Sequence, residues 1–256
     1  MNIVAVIPAH LASVRFPRKI LFNIHGLPMI EHVRRRALLS KELSEVIVTT
    51  CDIEIADVIK SYGGKVIMTS DVHKDGTSRV AEAMQDYDCT HILLLQGDEP
   101  LLLPRHVDSM INAMKNNPSV KSWNATGEIN SEDEMDRHSF VKCTVLKDNK
   151  ILSCFRKTPY LSKLEIQQEF VRKILGIVGY KKSFLIELNE LDNTPIETAE
   201  FIEQMRIIES GYPLYSVDVN PSLPSINEPH EADTVLDYLK EDEEQNLLLE
   251  KILKNE

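Results

Sequence analysis

Glycine is scarce in this sequence of 256 residues, which contains only nine. Soluble proteins average roughly 7% glycine, which is about twice the proportion in this sequence. The nine glycines form neither the G-x-G-x-x-G pattern of dinucleotide-binding loops nor the G-x-x-x-x-G-K-[ST] pattern of Walker phosphate loops. The sequence also lacks G-x-S-x-G and H-E-x-x-H. These absences exclude an α/β-hydrolase nucleophile elbow and a zincin metal helix.

Cysteine is also infrequent, and its four residues never occur at the C-x-x-C spacing. A zinc ribbon or a thioredoxin-like redox motif is therefore excluded, and a disulfide framework is not expected at this length. We interpret Cys51, Cys89, Cys143 and Cys154 as reduced packing residues of a cytoplasmic protein.

Long apolar runs are missing too. The run at residues 3–7 is too short for the core of a signal peptide, and residues 92–95 fall far short of the roughly 18 that a membrane span needs. Acidic residues outnumber basic ones by 40 to 29, for a formal net charge of −11. Nucleic-acid-coating proteins need clustered Lys and Arg, so neither nucleic acid nor membrane is expected as a partner. Local residues can still hold one small anion.

What the sequence does contain, over its first 120 residues, is short apolar runs that alternate with segments of helical periodicity. This alternation predicts a mostly parallel sheet with helices on both faces. The predicted strands are residues 3–7, 46–50, 65–68 and 92–95, all of them interpreted as buried. The predicted helices are residues 28–40, 53–62, 78–87 and 105–117.

The pattern changes after about residue 120. The simplest interpretation is a single α/β domain over residues 1–256, with an inserted antiparallel portion at about 120–195. A helix is expected to begin at Thr194, with Pro195 in its first turn, and to continue to Gly211. The other predicted elements are a hairpin of residues 140–147 and 151–155, strands at 174–180 and 214–219, and a helical segment at 231–256.

Three polar segments follow predicted strands, where open α/β sheets bind their ligands. Residues 8–19 carry Arg15, Arg18 and Lys19 and could wrap a triphosphate, although a solvated basic connector would look the same. In residues 96–100, Gly97 permits close approach of a ligand and Asp98 could bind a hard cation; the alternative is a Gly-Asp turn. Residues 73–79 by themselves are only weak evidence for a ligand-binding site.

Together the three segments resemble the CMP-sugar-acid synthetases, and within them most closely the 3-deoxy-manno-octulosonate (Kdo) cytidylyltransferases. The matching patterns are P-A-x-x-x-S-x-R-F-P-x-K from Pro8, H-x-x-G-T-x-R from His73 and Q-G-D-E-P from Gln96. Residues 175–180, 194–197 and 201–206 agree as well, so the resemblance spans most of residues 3–235.

The resemblance implies a three-layer α/β/α, Rossmann-like nucleotidyltransferase fold, Mg²⁺ as cofactor and a homodimer in surface-glycan (lipopolysaccharide) synthesis. It implies that CTP and a sugar acid react to give the CMP-sugar acid and pyrophosphate. Lys19, Arg15 and Asp98 match catalytic positions, and Asp98 and Asn227 match metal positions. The nucleotide-binding positions are matched by Pro8, Ala9, His10, Ser13, Arg15, Lys19, His73, Gly76, Thr77, Arg79 and Gly97. The acceptor-binding positions are matched by Gln96, Tyr180, Glu197, Glu203 and Gln204.

The sequence departs from the Kdo pattern at positions that concern substrate and metal. His10 replaces the usual Arg, Ile174 replaces a sugar-binding His, and Asn227 replaces an acidic metal ligand. These changes leave three interpretations open: a Kdo enzyme, a cytidylyltransferase for another ulosonic or nonulosonic acid or a phosphonate, and a non-catalytic relative that binds nucleotide or a partner protein.

Overall fold

The computed structural model describes residues 1–254, in which strands and helices alternate. The strands are β1 (Ile3–Ala9), β2 (Asn23–Ile24), β3 (Leu27–Pro28), β4 (Glu45–Thr50), β5 (Lys65–Met68), β6 (His91–Leu95), β7 (Ser122–Gly127), β8 (Lys142–Val145), β9 (Ile151–Phe155), β10 (Val171–Lys181) and β11 (Tyr215–Asp218). The helices are α1 (Met29–Leu38), α2 (Ile53–Ser61), α3 (Gly76–Met84), α4 (Pro104–Asn116), α5 (Glu132–Asp136), α6 (Leu164–Gln167), α7 (Lys182–Asn189), α8 (Pro195–Glu200), α9 (Gln204–Glu209), α10 (Glu231–Glu241) and α11 (Glu243–Lys254). A short 3-10 helix covers Lys19–Leu21.

The pattern of contacts between residues divides the chain into two compact units. Unit 1 comprises Met1–Asp108 and the C-terminal segment from Leu223, and unit 2 comprises Ser109–Ser222. The division falls within α4. That residues 1–256 form a single domain stays a prediction.

Unit 1 contains the predicted parallel sheet, with strand order β6-β1-β4-β5. All seven residues of β1 are buried, which explains its continuous apolar sequence, because a strand in such a sheet is covered on both faces. The prediction that β5 is buried is wrong. This strand lies at the end of the sheet order, and its Lys65 and Met68 are exposed.

The C-terminal segment packs on the start of α1 through an apolar cluster, which brings Ile226 into the core of unit 1. The buried members of this cluster are Ile24, Met29, Leu101, Ile226, Ala232, Val235, Leu239, Leu249 and Ile252. The predicted helical segment at 231–256 forms two helices, because Asp242 is extended between α10 and α11. Residues 255–256 of that prediction lie outside the described residues.

Unit 2 holds the predicted antiparallel portion. β10 pairs antiparallel with β7 and with β8, β8 pairs antiparallel with β9, and β11 runs parallel to β7. The predicted hairpin is confirmed, with Asn149 in the left-handed conformation at its turn (φ 64°). The sequence analysis missed β7, because its residues Ser-Trp-Asn-Ala-Thr-Gly include three buried polar side chains on one face.

The predicted helix at 194–211 is also wrong, because two short helices, α8 and α9, occupy this segment. Thr194 does cap the first helix, in a reciprocal box with Glu197, and Pro195 lies in its first turn. Phe201 then adopts a left-handed conformation (φ 54°) that ends α8. The guanidinium of Arg156 donates to the carbonyls of Glu200 and Phe201, which satisfies acceptors left at this helix end.

The four cysteines are free, as expected, and three of them are buried. Burial raises the pKa of the Cys143 thiol to about 12, so this residue is an inert packing group. Within residues 1–254, no helix is long and apolar enough to cross a membrane.

Candidate active site

The 8–19 loop leaves the carboxyl end of β1 and is anchored by two acids of the next strand-to-helix connection. The backbone N–H of Leu11 donates to Asp52 Oδ2 at 2.8 Å. The guanidinium of Arg18 forms an ion pair with Glu54 in the first turn of α2. These contacts hold the loop across the carboxyl ends of β1 and β4, where an α/β sheet binds ligands.

Ser13 and Arg15 occupy the middle of this loop. The hydroxyl of Ser13 accepts the backbone N–H of Phe16 at 3.4 Å, which closes a tight turn. Arg15 is exposed, and within residues 1–254 its side chain has no hydrogen-bond or ion-pair partner. Its guanidinium is thus open to an anionic ligand.

Lys19 and Asp98 meet at the base of the loop, although 79 positions separate them in the chain. The ammonium of Lys19 lies 2.6 Å from Asp98 Oδ2, and the two side chains are 16% and 22% exposed. Lys19 also donates to the carbonyl of Ile226 at 3.3 Å. The N–H of Ile226 in turn donates to the backbone carbonyl of Asp98 at 3.0 Å. Three distant segments therefore converge on one partly buried ion pair.

Two glycines allow the polar segments to pack this closely. A Cβ on Gly97 would lie 2.6 Å from Ile20 Cδ1, so the end of the Ile20 side chain would have to shift to admit it. A Cβ on Gly76 would lie 3.0 Å from Pro8 Cγ and 3.8 Å from Gln96 Nε2. The start of α3 therefore lies directly against the ends of β1 and β6.

The basic residues around this edge differ in their charge state. Partial desolvation lowers the pKa of His10, and the positive charges of Arg79 and Lys19 lower it further against the opposing effects of Asp52 and Asp98. The lowered pKa favours the neutral form of the His10 imidazole. Arg79 is buried in α3, where its guanidinium donates to Thr69 Oγ1 at 2.7 Å and to the Ser70 carbonyl at 3.3 Å.

His73 and Thr77 lie beside these groups at the start of α3. The imidazole of His73 bonds the carboxylate of Glu82, and its Nδ1 lies 3.1 Å from Ser78 Oγ. Hydrogen bonds from Ser70 and His73 lower the pKa of Glu82 to about 2. Thr77 is buried. His73 thus braces the connection between β5 and α3.

Asn227 follows Ile226 and so lies next to the Lys19–Asp98 pair. Its backbone N–H donates to Glu231 Oε2 at 2.6 Å, and its side-chain Nδ2 donates to Ser225 Oγ at 3.0 Å. The amide oxygen is left as an acceptor. In the described part of the chain, no group of three or more His, Cys, Asp or Glu side chains could hold a metal ion.

Four of the predicted acceptor residues belong to unit 2, and Gln96 belongs to unit 1. Glu197 is buried, and both of its carboxylate oxygens accept hydrogen bonds from Arg206, Oε1 at 3.0 Å and Oε2 at 2.9 Å from Nε. Glu203 precedes α9, and Gln204 Nε2 donates to Asn124 Oδ1 at 3.1 Å. Tyr180 is buried in β10. The bond to Arg206 thus gives Glu197 a structural role. The acceptor-binding roles of all these residues stay predictions.

The sequence analysis missed the residues that hold the site together. Asp52 and Glu54 follow β4 in the same way that the predicted residues follow β1 and β6, so the same rule would have found them. Ile226 contributes through its backbone, and Glu82 lies in the last turn of α3. Neither residue type carries a local signal for such a role.

Comparison with known proteins identifies the family. A family model described as cytidylyltransferase matches residues 4–218. The chain is 33% identical to the 3-deoxy-manno-octulosonate cytidylyltransferase of Geobacter sulfurreducens over 251 residues, covering 94% of this chain and 100% of the relative. It is 35% identical to the enzyme of the same name from Fusobacterium nucleatum over 245 residues, covering 94% and 98%. The chain belongs to the cytidylyltransferase family.

A solved structure supports the same conclusion for the fold. CMP:2-keto-3-deoxy-manno-octonic acid synthetase, solved in complex with CTP, matches this cytidylyltransferase with a TM-score of 0.87. The two chains are 31% identical, and the match covers 94% of this chain and 100% of the other. The predicted α/β nucleotidyltransferase fold is confirmed.

Proposed function

We propose that this cytidylyltransferase transfers CMP from CTP to 3-deoxy-manno-octulosonate (Kdo) and releases pyrophosphate. The partly buried Lys19–Asp98 pair, at the meeting point of the β1, β6 and Ile226 segments, carries the proposal. In this pair an ammonium, a group suited to binding phosphate, lies beside a carboxylate, a group suited to binding a hard cation, and α/β proteins bind nucleotides at this edge of the sheet. The names of the relatives, and the CTP bound to the similar structure, support the choice of nucleotide and acceptor.

In this reaction a sugar hydroxyl attacks the α-phosphorus of CTP. A new P–O bond forms, the bond from the α-phosphorus to the β-phosphate oxygen breaks, and the hydroxyl proton passes to solvent. Such transfers depend on positioning and on neutralising phosphate charge. Lys19 and the exposed Arg15 supply positive charge, and the anchored 8–19 loop supplies backbone N–H groups.

The donor groups of this site fit Mg²⁺. Magnesium in nucleotide sites is held by one or two carboxylates together with substrate phosphates, and does not need a cluster of protein ligands. Asp98 would supply the carboxylate and Asn227 a neutral amide oxygen. When bound, Mg²⁺ supplies charge neutralisation on the phosphates. Asp98 has to share its carboxylate with Lys19, which lies 2.6 Å away.

The acceptor is the part of the proposal that the sequence departures bear on most. Ile174 is half-buried in β10 and offers no hydrogen bond where Kdo enzymes have a His. Gln204, in the same unit as Ile174, remains as a neutral hydrogen-bonding group for a polyhydroxylated acid. Another ulosonic or nonulosonic acid, or a phosphonate, is therefore included in the test.

The test is pyrophosphate release from CTP with Kdo in the presence of Mg²⁺. Parallel reactions replace CTP with UTP, Mg²⁺ with EDTA, and Kdo with other sugar acids and phosphonates. Turnover with CTP and Kdo, abolished by EDTA, is expected. Turnover only with another acceptor would reassign the substrate, and activity in EDTA would refute the role of Mg²⁺. The absence of pyrophosphate release with every acceptor would favour a non-catalytic nucleotide-binding protein.

We also propose that the enzyme works as a homodimer in the cytoplasm, in the synthesis of surface glycans. The resemblance to the Kdo enzymes supports these points. Sedimentation velocity should give about twice the 29.2 kDa chain mass. A species at the chain mass across micromolar concentrations would contradict the dimer.

A further inference from the structure

One face of β7 consists of three polar side chains that are completely buried, namely Ser122, Asn124 and Thr126. Buried polar groups need partners, and all three have them. Ser122 Oγ donates to the Pro213 carbonyl at 3.0 Å, and Thr126 Oγ1 lies 2.6 Å from Ser216 Oγ. These two bonds join β7 to the segment that contains β11. Asn124 makes a different set of bonds.

The amide nitrogen of Asn124 donates to two backbone carbonyls. They are those of Ala125, at 2.8 Å, and of Leu175, at 3.0 Å. Leu175 lies where the register of β10 against β7 shifts, between Ile174 and Val178. A register shift leaves ladder groups unpaired, and Asn124 satisfies one of them. Carbonyl oxygens can only accept hydrogen bonds, so the group that faces them must be the NH₂ of Asn124. The position of Oδ1 is thereby fixed as well.

The fixed orientation of Asn124 then determines the orientation of Gln204. Asn124 Oδ1 can only accept, so Gln204 must present its NH₂ group, which it does at 3.1 Å. The carbonyl oxygen Oε1 of Gln204 is left as an acceptor, and within residues 1–254 no group donates to it. Gln204 is half-buried at the start of α9.

We propose that Asn124 is a positioning residue for the acceptor substrate. It holds the Gln204 amide so that Oε1 accepts a hydrogen bond from a hydroxyl of the sugar acid. The inference rests on the proposed function, and it adds a specificity rule to it. At this position the site favours a hydrogen-bond donor, such as a hydroxyl. A carbonyl or ether oxygen would place a second acceptor against Oε1, and no hydrogen bond could form.

The test compares Asn124→Leu, Asn124→Asp and Thr126→Val in the full-length enzyme. Asn124→Leu removes every bond, and we expect the KM for Kdo to rise about tenfold while the KM for CTP stays within about twofold. Asn124→Asp loses the bonds to the two carbonyls and buries a charge, yet it still accepts from Gln204. Its KM for Kdo should therefore remain closer to wild type than that of Asn124→Leu, although its melting temperature is lower. The control Thr126→Val removes a bond on the same face and should change neither KM.

A double mutant separates positioning from packing. If Asn124 acts through Gln204, adding Asn124→Leu to Gln204→Met should raise the KM for Kdo no further than Gln204→Met alone. Should Asn124→Leu fail to fold, Asn124→Ser takes its place, since it leaves room for water at the Leu175 carbonyl. Multiplying effects in the double mutant, or an Asp variant as impaired in Kdo binding as the Leu variant, would overturn the inference while the wild-type activity stands. A wild type inactive with every acceptor would instead overturn the proposed function, and the inference with it.

Discussion

At the scale of single residues, the proposed function depends most on the Lys19–Asp98 pair. Without nucleotide the two charges neutralise each other at 2.6 Å. On the proposed function, a triphosphate would give Lys19 a second anionic partner, and the Asp98 carboxylate would then be free to hold a metal ion. We therefore expect the site to favour a ligand that brings both negative charge and a cation.

Replacing Asp98 by Asn should separate activity from folding. We expect Asp98→Asn to reduce kcat/KM by about 10²- to 10³-fold, because a neutral amide is a poor ligand for Mg²⁺ and no longer balances Lys19. The melting temperature should change by only a few degrees, since the pair is partly exposed. Steady-state kinetics and thermal unfolding measure the two effects.

The matched control is Glu45→Gln, which removes a carboxylate from the exposed ion pair with Lys65. It should leave the kinetics unchanged. A folded Asp98→Asn enzyme with full activity would contradict the assignment of Asp98 as the magnesium ligand.

At the scale of secondary-structure elements, the β8–β10 pair contains an unusual arrangement of charge. Lys142 and Lys173 are opposite each other in the antiparallel register. Lys142 is fully buried, and its ammonium donates to the Arg137 carbonyl at 2.9 Å. Lys173 lies with its ammonium 3.9 Å from the centre of the Phe140 ring. Desolvation lowers the pKa of Lys142 to about 8.

This shift predicts how stability depends on pH. The folded pKa of Lys142 is about 8 and the ordinary value is 10.5. Below pH 8 both states hold the proton, and the folded protein bears the full cost of a buried charge. Between these values the unfolded state binds more protons, so wild-type stability rises with pH. Lys142→Met should therefore be more stable than wild type at pH 7, by about 1–3 kcal/mol, and the difference should shrink toward pH 10.

Urea unfolding at pH 7 and at pH 9.5 provides the measurement, with Lys147→Met at the exposed hairpin turn as control. A difference between wild type and Lys142→Met that is constant with pH would argue against a buried charged lysine. A wild type more stable than the variant at pH 7 would do the same.

The break between α8 and α9 is the second feature at this scale. Glu197 belongs to the cap of α8 and is also bonded to Arg206 in α9. It thereby joins the two short helices that carry two of the predicted acceptor residues, Glu197 and Gln204. Removing one partner of a buried ion pair leaves the other charge uncompensated, at a cost of about 3–5 kcal/mol.

Glu197→Gln and Arg206→Met form a pair that distinguishes a structural from a binding role. Each should lower the free energy of unfolding by about 3 kcal/mol. If Glu197 acts only by bonding Arg206, the two variants should raise the KM for Kdo by similar factors. A KM increase confined to Glu197→Gln would show that its carboxylate touches the acceptor, as the sequence analysis predicts.

At the scale of the whole molecule, the net charge of the chain is negative, although basic residues cluster at the proposed nucleotide site. The chain carries a formal net charge of −11, yet the proposed substrates, CTP and a sugar acid, are both anions. Arg15, Lys19 and Arg79 concentrate positive charge at one edge of the sheet of unit 1. We expect this local charge, rather than the net charge, to determine whether these anions bind.

CTP with Mg²⁺, in the absence of any acceptor, should therefore stabilise the protein. At a concentration about 100 times its Kd, one bound ligand adds about 2.7 kcal/mol to the free energy of unfolding. In a protein of this size the melting temperature should rise by about 5–10 °C. Differential scanning fluorimetry with Mg²⁺ tests this, and cytidine at the same concentration is the control. An equal shift with cytidine would refute the role of Arg15 and Lys19 in holding the triphosphate.

The sequence by itself determined the parallel strands of unit 1 and the polar segments that follow them, because apolar runs and helical periodicity are local properties. Packing over long distances decided the rest. The bond from Lys19 to Ile226 spans 207 positions, and no local pattern marks a backbone carbonyl as a partner. Strand β7 escaped prediction because its polar side chains are satisfied by partners far away in the chain. The same holds for Asn124, whose role follows from Leu175 and Gln204, groups that the fold brings within hydrogen-bonding distance.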